Sequence, residues 1–204
     1  MNTEKIKTVL LDYGGVVCRV GTEPVYKSVF DAADIESKPE LFEKYWALMR
    51  LLARGKAQES EIVDLLVANG YKVPDDIEAR WHRVIDTLFY PEPVILQLIE
   101  DLKSAGYQVG LLSNVWPLSE KYIRANGWYE YFDQTTLSCL LGVAKPDVEI
   151  YKIAQEKSQV SAAEILFVDD QQRNIDAAKD FGMQTMVAKS PEQIADDIRE
   201  LLLK

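Results

Sequence analysis

The chain has 204 residues, of which 48% are hydrophobic and 27% charged, a balance that excludes a disordered or fibrous protein; at about 150 residues per domain it allows one domain with an insertion. With 33 acidic against 23 basic residues the net charge is −10, and no Lys/Arg run offers a basic patch, so nucleic acid is not an expected partner. Cys18 and Cys139 are too few for a disulfide framework and lack zinc-binding spacing, and no apolar stretch approaches the roughly 20 residues of a membrane span.

The first strand is expected at Val9-Leu10-Leu11, which stops abruptly at Asp12. From about Thr22 to Leu88 the sequence carries four helix-like stretches and no convincing strand. Leu41, Tyr45, Leu48, Met49 and Leu52 form one stripe, and Ile62, Leu65 and Leu66 form another that ends at Asn69-Gly70, a stop signal. Pro74-Asp75-Asp76 opens a further helix with Ile77, Trp81, Val84, Ile85 and Leu88. This pattern predicts a helical bundle, residues 20–88, inserted after the first strand and lying over the carboxyl edge of a sheet. The remaining 1–19 and 89–204 form the expected α/β core. There, Glu92 to Ser104 has helical spacing, and Val109-Gly110-Leu111-Leu112 is a short apolar run ending at Ser113-Asn114. A weaker strand is expected over Gln134 to Ser138, then a helix from Pro146 to Lys157 with Pro146 at its first position. Ile165-Leu166-Phe167-Val168, ending at Asp169-Asp170, and Met183 to Val187 complete the strands. Short continuous apolar runs alternating with amphipathic helices specify an α/β fold with a doubly wound parallel sheet.

Ligands of such sheets bind beyond the carboxyl ends of the strands, so Asp12, Ser113, Asn114, Asp169 and Asp170 are expected to converge. Each alone has an ordinary explanation, because Asp and Asn commonly form turns or cap helices and Lys145 could be a solvated surface lysine. Together, three carboxylates repel one another unless a cation compensates them, and a hard ion such as Mg²⁺ suits oxygen ligands and substrate phosphate. Lys145 could add a point charge at the same edge.

These motifs resemble those of the haloacid dehalogenase-like hydrolase superfamily, in particular its phosphatases with a helical cap. Leu10-Leu11-Asp12-Tyr13-Gly14-Gly15-Val16-Val17, Leu111-Leu112-Ser113-Asn114, Lys145-Pro146 and Phe167-Val168-Asp169-Asp170 with Asn174 match its four motifs in order. The resemblance implies a Rossmann-like core and a phosphatase acting on a small phosphorylated metabolite. It further implies Asp12 as nucleophile, forming an aspartyl-phosphate, with Mg²⁺ shared by Asp12, the carbonyl of Gly14 and Asp169. Asp170 and Asn174 would support the metal site, Ser113 and the backbone at Asn114 would bind phosphoryl oxygens, and Lys145 would neutralise charge. Gly14 departs from the pattern, because most phosphatases of the family carry there a second Asp that acts as general acid and base. Either esters whose leaving oxygen tolerates negative charge, such as anomeric, phenolic or acyl phosphates, are the expected substrates, or a water or cap residue is recruited as the acid; some family members with a small residue there resemble sugar-phosphate phosphatases. Three other readings stand beside this one: a metal-free dehalogenase, disfavoured by Asp169-Asp170, a catalytically weak binding or regulatory protein, and a phosphotransferase or mutase that passes the group to an acceptor other than water.

Outside these motifs, His82 reads as a half-exposed cap residue and Cys18 as a small buried hydrophobe. Arg19 stands open between substrate contact and hinge, and Trp116 is a candidate pocket wall. Tyr122, Trp128, Tyr129, Tyr131 and Phe132 read as core. The start, Met1-Asn2-Thr3-Glu4-Lys5, leads into too short an apolar run for a signal peptide, so a cytoplasmic location is expected. The sequence is silent on oligomeric state.

Overall fold

The apolar runs pair side by side in the computed structural model, which describes residues 6–19 and 38–204 apart from the side chains of Glu78, Arg80, Trp81, Val84 and Leu88. Strands β1 (Thr8–Leu11), β2 (Gln108–Ser113), β3 (Gln134–Leu137), β4 (Ile165–Asp169) and β5 (Gln184–Val187) form a parallel sheet of order β3-β2-β1-β4-β5. The weak strand expected at Gln134 is thus present, at the edge next to β2. Three consecutive helices precede β2 in the inserted region: α1 (Pro39–Leu52), α2 (Ser60–Ala68) and α3 (Ile77–Leu88). They correspond to three of the four expected stretches, while residues 22–37, and the side chains of Trp81, Val84 and Leu88, lie outside the described set. The remaining helices are α4 (Pro93–Ser104), α5 (Pro117–Ala125), α6 (Ser138–Leu141), α7 (Val148–Ser158), α8 (Gln172–Phe181) and α9 (Pro191–Leu202).

Because successive strand residues point to opposite faces, each central strand feeds two cores. Val9, Leu11, Val109, Leu111, Leu166 and Val168 pack with Leu98 and Leu102 of α4 and Ile194 and Ile198 of α9. Leu10, Leu112, Ile165 and Phe167 pack with Ile150, Tyr151 and Ala154 of α7 and Ile175 and Ala178 of α8. Helices cover both faces, which explains why the runs read as continuous rather than alternating. Leu41, Tyr45, Met49 and Leu52 of α1 join the first of these cores, so the inserted helices share buried surface with the sheet layer.

One boundary differs from expectation. Pro146 precedes α7 instead of opening it: Asp147 donates its N–H to Ala144 O at 2.8 Å, closing a turn, and the helix starts at Val148.

The turn after β1 is equally tight, with Val17 N–H and Cys18 N–H both donating to Tyr13 O at 2.9 Å. Within it Gly15 has φ 75°, and a Cβ there would lie 2.6 Å from Asp170 Oδ2. Gly15→Ala is therefore expected to lower stability by about 1–2 kcal/mol through the left-handed backbone alone. Urea unfolding measures this, and an unchanged midpoint would contradict the strained placement.

Candidate active site

The topology places the chemistry. β1 lies between β2 and β4, with Leu11 in register with Leu111 and Val168. One residue further, Asp12 leaves β1 alongside Asp169 at the end of β4, and Ser113 ends β2. The chain order reverses direction across the sheet at β1, so these strand ends border a switch-point crevice.

Asp12, Asp169 and Asp170 each offer a carboxylate oxygen within 4.8 Å of the others. Asp12 and Asp169 are buried, whereas Asp170 sits at the solvent-facing rim. Between them lies the buried ammonium of Lys145, whose Nζ is 3.0 Å from Asp12 Oδ1 and 2.6 Å from Asp169 Oδ2, and which donates to Leu112 O at 3.0 Å. Three acceptors match the three N–H bonds of an ammonium. Nζ also stands 5.3 Å from the centroid of the Phe167 ring. Burial opposes the charge on Lys145, but Asp12 and Asp169 outweigh it and hold its pKa above the usual lysine value.

Burial has the opposite consequence for Asp12. It pushes the carboxyl up to about 7; Lys145 pulls down, Asp169 adds to the rise, and the Ser113 hydroxyl pulls down. Asp12 Oδ1 also accepts the N–H of Tyr13 at 2.7 Å. Loss of water on the inner side of Asp170, with Asp169 next to it, likewise raises the Asp170 pKa, against Lys145 and Arg173. Burial is the main cause in both, with the Asp169 charge adding to it, and a dication among the carboxylates would oppose the shift.

Asp169 is the most heavily supported of the three. Its Oδ1 accepts from Gln171 N–H at 2.7 Å, and the Asn174 side-chain amide donates to Oδ1 at 3.0 Å and Oδ2 at 3.1 Å. Asn174 Oδ1 is buried without a partner. Three clustered carboxylate oxygens and a spare buried acceptor fit a hard divalent cation carrying water ligands.

Asn114 takes a place that sequence reasoning did not assign. Its side-chain amide donates to Lys145 O at 2.9 Å, and its Oδ1 accepts the Lys145 N–H at 2.8 Å. This reciprocal pair fixes the Lys145 peptide from the neighbouring loop. The Leu112 carbonyl was likewise not anticipated. Contacts between a side chain and a backbone 31 residues away leave no local periodic signal. Ser113 is buried at the end of β2. Gly14 contributes no side chain, and its backbone bridges to Cys18.

The other residues singled out sort as follows. Arg19 pairs with Glu92 Oε1 at 3.0 Å and Glu192 Oε1 at 2.6 Å on the surface, tying the turn after β1 to the residue before α4 and to α9. Cys18 is buried, as expected, whereas His82 is exposed rather than half-exposed. Trp116 is buried at the N-cap of α5. Trp128 stacks edge-on with Tyr122 at 5.4 Å, while Tyr131 is more than a third exposed rather than core. No helix among the described residues is long and apolar enough to cross a membrane.

The sequence pattern of haloacid dehalogenase-like hydrolases matches residues 6–182. D-ribitol-5-phosphate phosphatase from Bacteroides thetaiotaomicron is 26% identical over 207 residues, 96% of this chain and 97% of that protein. A HAD family enzyme from the same organism, solved in complex with magnesium and inorganic phosphate, aligns with TM-score 0.72 and 27% identity over 91% of this chain and 95% of that one. Acyl-CoA dehydrogenase family member 10 from Mus musculus is 30% identical over 112 residues, 54% of this chain but only 10% of that longer protein. Because the family pattern covers residues 6–182, and with them all four motifs, the chain belongs to the haloacid dehalogenase-like hydrolase family.

Proposed function

We propose that the chain is a Mg²⁺-dependent phosphatase that hydrolyses a phosphomonoester of a small metabolite, with sugar phosphates among the candidates, through an aspartyl-phosphate on Asp12. The observation that carries this reading is the buried Asp12 carboxylate, held 3.0 Å from the Lys145 ammonium in a cluster with Asp169 and Asp170. A phosphatase relative aligned over nearly its full length, and a neighbour that binds magnesium with inorganic phosphate, support it.

In this reading, Asp12 attacks phosphorus; the P–O bond to the leaving alcohol breaks as the bond to the carboxylate oxygen forms, and water then cleaves the acyl phosphate. Ser113 and the backbone at Asn114 hold phosphoryl oxygens, while Lys145 offsets the charge that gathers on them and on Asp12. The Asn114 side chain holds the Lys145 peptide in place, and Asp170 and Asn174 support Asp169. Asp12, the Gly14 carbonyl and Asp169 would hold Mg²⁺, which supplies charge compensation and polarises the phosphoryl group when bound. We assign residues 1–19 and 89–204 to the core and 20–88 to a cap that bounds a small-molecule site.

A dehalogenase without metal is disfavoured, because it would leave Asp12, Asp169 and Asp170 with one ammonium among three carboxylates. A catalytically weak binding or regulatory protein is the alternative to be tested, since Gly14 provides no acid.

Two outcomes follow from these roles. With Mg²⁺ the wild-type chain should hydrolyse para-nitrophenyl phosphate, and both Asp12→Asn and a chelator should reduce the rate to background. Wild-type inactivity with magnesium bound would instead favour the regulatory reading. Because no acid sits at Gly14, simple alkyl phosphates should react more slowly than aryl phosphates, by up to about 10²–10⁴. Equal rates with chemistry limiting would contradict that account of Gly14.

A further inference from the structure

The turn between α1 and α2 reaches both loops that carry the groups assigned to phosphate. It begins just past the end of α1, where the last helical carbonyls have no partner within the helix. There Arg54 spends one arm of its guanidinium on Arg50 O, Nη1 donating at 3.1 Å, and extends the other to Asp147, Nη2 donating to Oδ2 at 2.8 Å. Asp147 is two residues beyond Lys145 and closes the turn back to Ala144. The guanidinium is thus anchored at one end and grips the lysine loop at the other.

Gly55 comes next, with φ 60°, and a Cβ on it would lie 2.1 Å from Cys139 O in α6. The obstacle is a backbone carbonyl, so the turn lies closer to α6 than any side chain would allow. At the far end of the turn, Glu59 Oε1 accepts the N–H of Leu118 at 2.7 Å. Leu118 is in the first turn of α5, where amides lack helical acceptors and a negative charge is favoured. This helix begins at Pro117, directly after the Ser113-Asn114-Val115-Trp116 segment.

Resting on the phosphatase reading above, we infer that this turn is a docking strap whose Arg54 and Glu59 position the Lys145 and Ser113 loops for the transferring phosphoryl group. Both are positioning residues that act through Asp147 and Leu118. A lone exposed ion pair contributes little. The strap differs in having three contacts on three separate elements, one of them a close backbone approach that cannot yield. Seating the inserted helices and setting the geometry of the phosphate groups are then a single event.

The test combines steady-state kinetics on para-nitrophenyl phosphate with Mg²⁺, melting temperature, and amide hydrogen exchange over residues 112–118 and 142–148. A misplacement of about 1 Å can cost a hundredfold in rate; for the partial loosening in Arg54→Ala/Glu59→Ala, kcat should fall about tenfold with KM nearly unchanged and exchange faster in both loops. Arg54→Ala combined with Asp147→Ala should be no slower than either single variant, because the two act through each other. Glu59→Gln keeps an acceptor for Leu118 and should recover most of the rate. Arg83→Ala removes a more exposed ion pair, to Asp76, within the inserted region and should leave kcat alone. Unchanged exchange in both loops overturns the inference, as does a rise in KM with kcat held. If the wild type itself shows no phosphatase activity, that reading falls separately, and the exchange data still decide whether the strap positions the loops.

Discussion

Everything at this sheet edge depends on one buried ammonium. Parallel strands that end side by side deliver Asp12 and Asp169 to the same spot, and the adjoining Asp170 makes a third carboxylate. Carboxylates brought this close and cut off from water repel one another and drift toward the neutral acid, as the raised Asp12 pKa shows. Lys145 counters this with three donors, two on the acids and one on the Leu112 carbonyl, one residue before the end of the neighbouring strand. A surplus of negative charge remains, and a divalent cation is the simplest partner for it. The Mg²⁺ and phosphoryl group proposed above would both meet this charge balance.

The ammonium must itself be held, and the support comes from outside its own segment. Asn114 brackets the Lys145 peptide from the loop after β2, so the candidate phosphate loop and the lysine loop form one unit. The inserted helices lean on the same unit at Asp147 and Leu118. A layer that shares the hydrophobic core at α1 therefore also shares the polar scaffold of the crevice.

Much of this was legible in the sequence because it depends on period and punctuation. The apolar runs before Asp12, Ser113 and Asp169 become β1, β2 and β4, and the helical stripes at Leu41 and Ile62 become α1 and α2. Even the weak strand at Gln134 appears, held by pairing with β2 rather than by its own propensity. Pro146 misled, because a proline near a helix start is ambiguous between the first helical position and the preceding turn, and the Asp147 hydrogen bond to Ala144 decides it. Arg19 could not be resolved from sequence either, since Glu192 is brought to it only by the folding of α9. The least legible parts are those in which a side chain serves a distant backbone, as Asn114, Arg54 and Glu59 do. Polar residues in loops carry no periodicity, and their partners are set by topology alone.

The most direct test of the account is chemical trapping of the acyl phosphate. Wild-type protein turning over para-nitrophenyl phosphate with Mg²⁺ would be quenched, reduced with borohydride, digested and read by mass spectrometry. Reduction of a phosphorylated aspartyl group to homoserine at position 12, absent without substrate, is the predicted result. Turnover that proceeds with residue 12 unmodified, or with the label on Asp169 or Asp170, would contradict the assignment of Asp12 as the group that takes the phosphoryl.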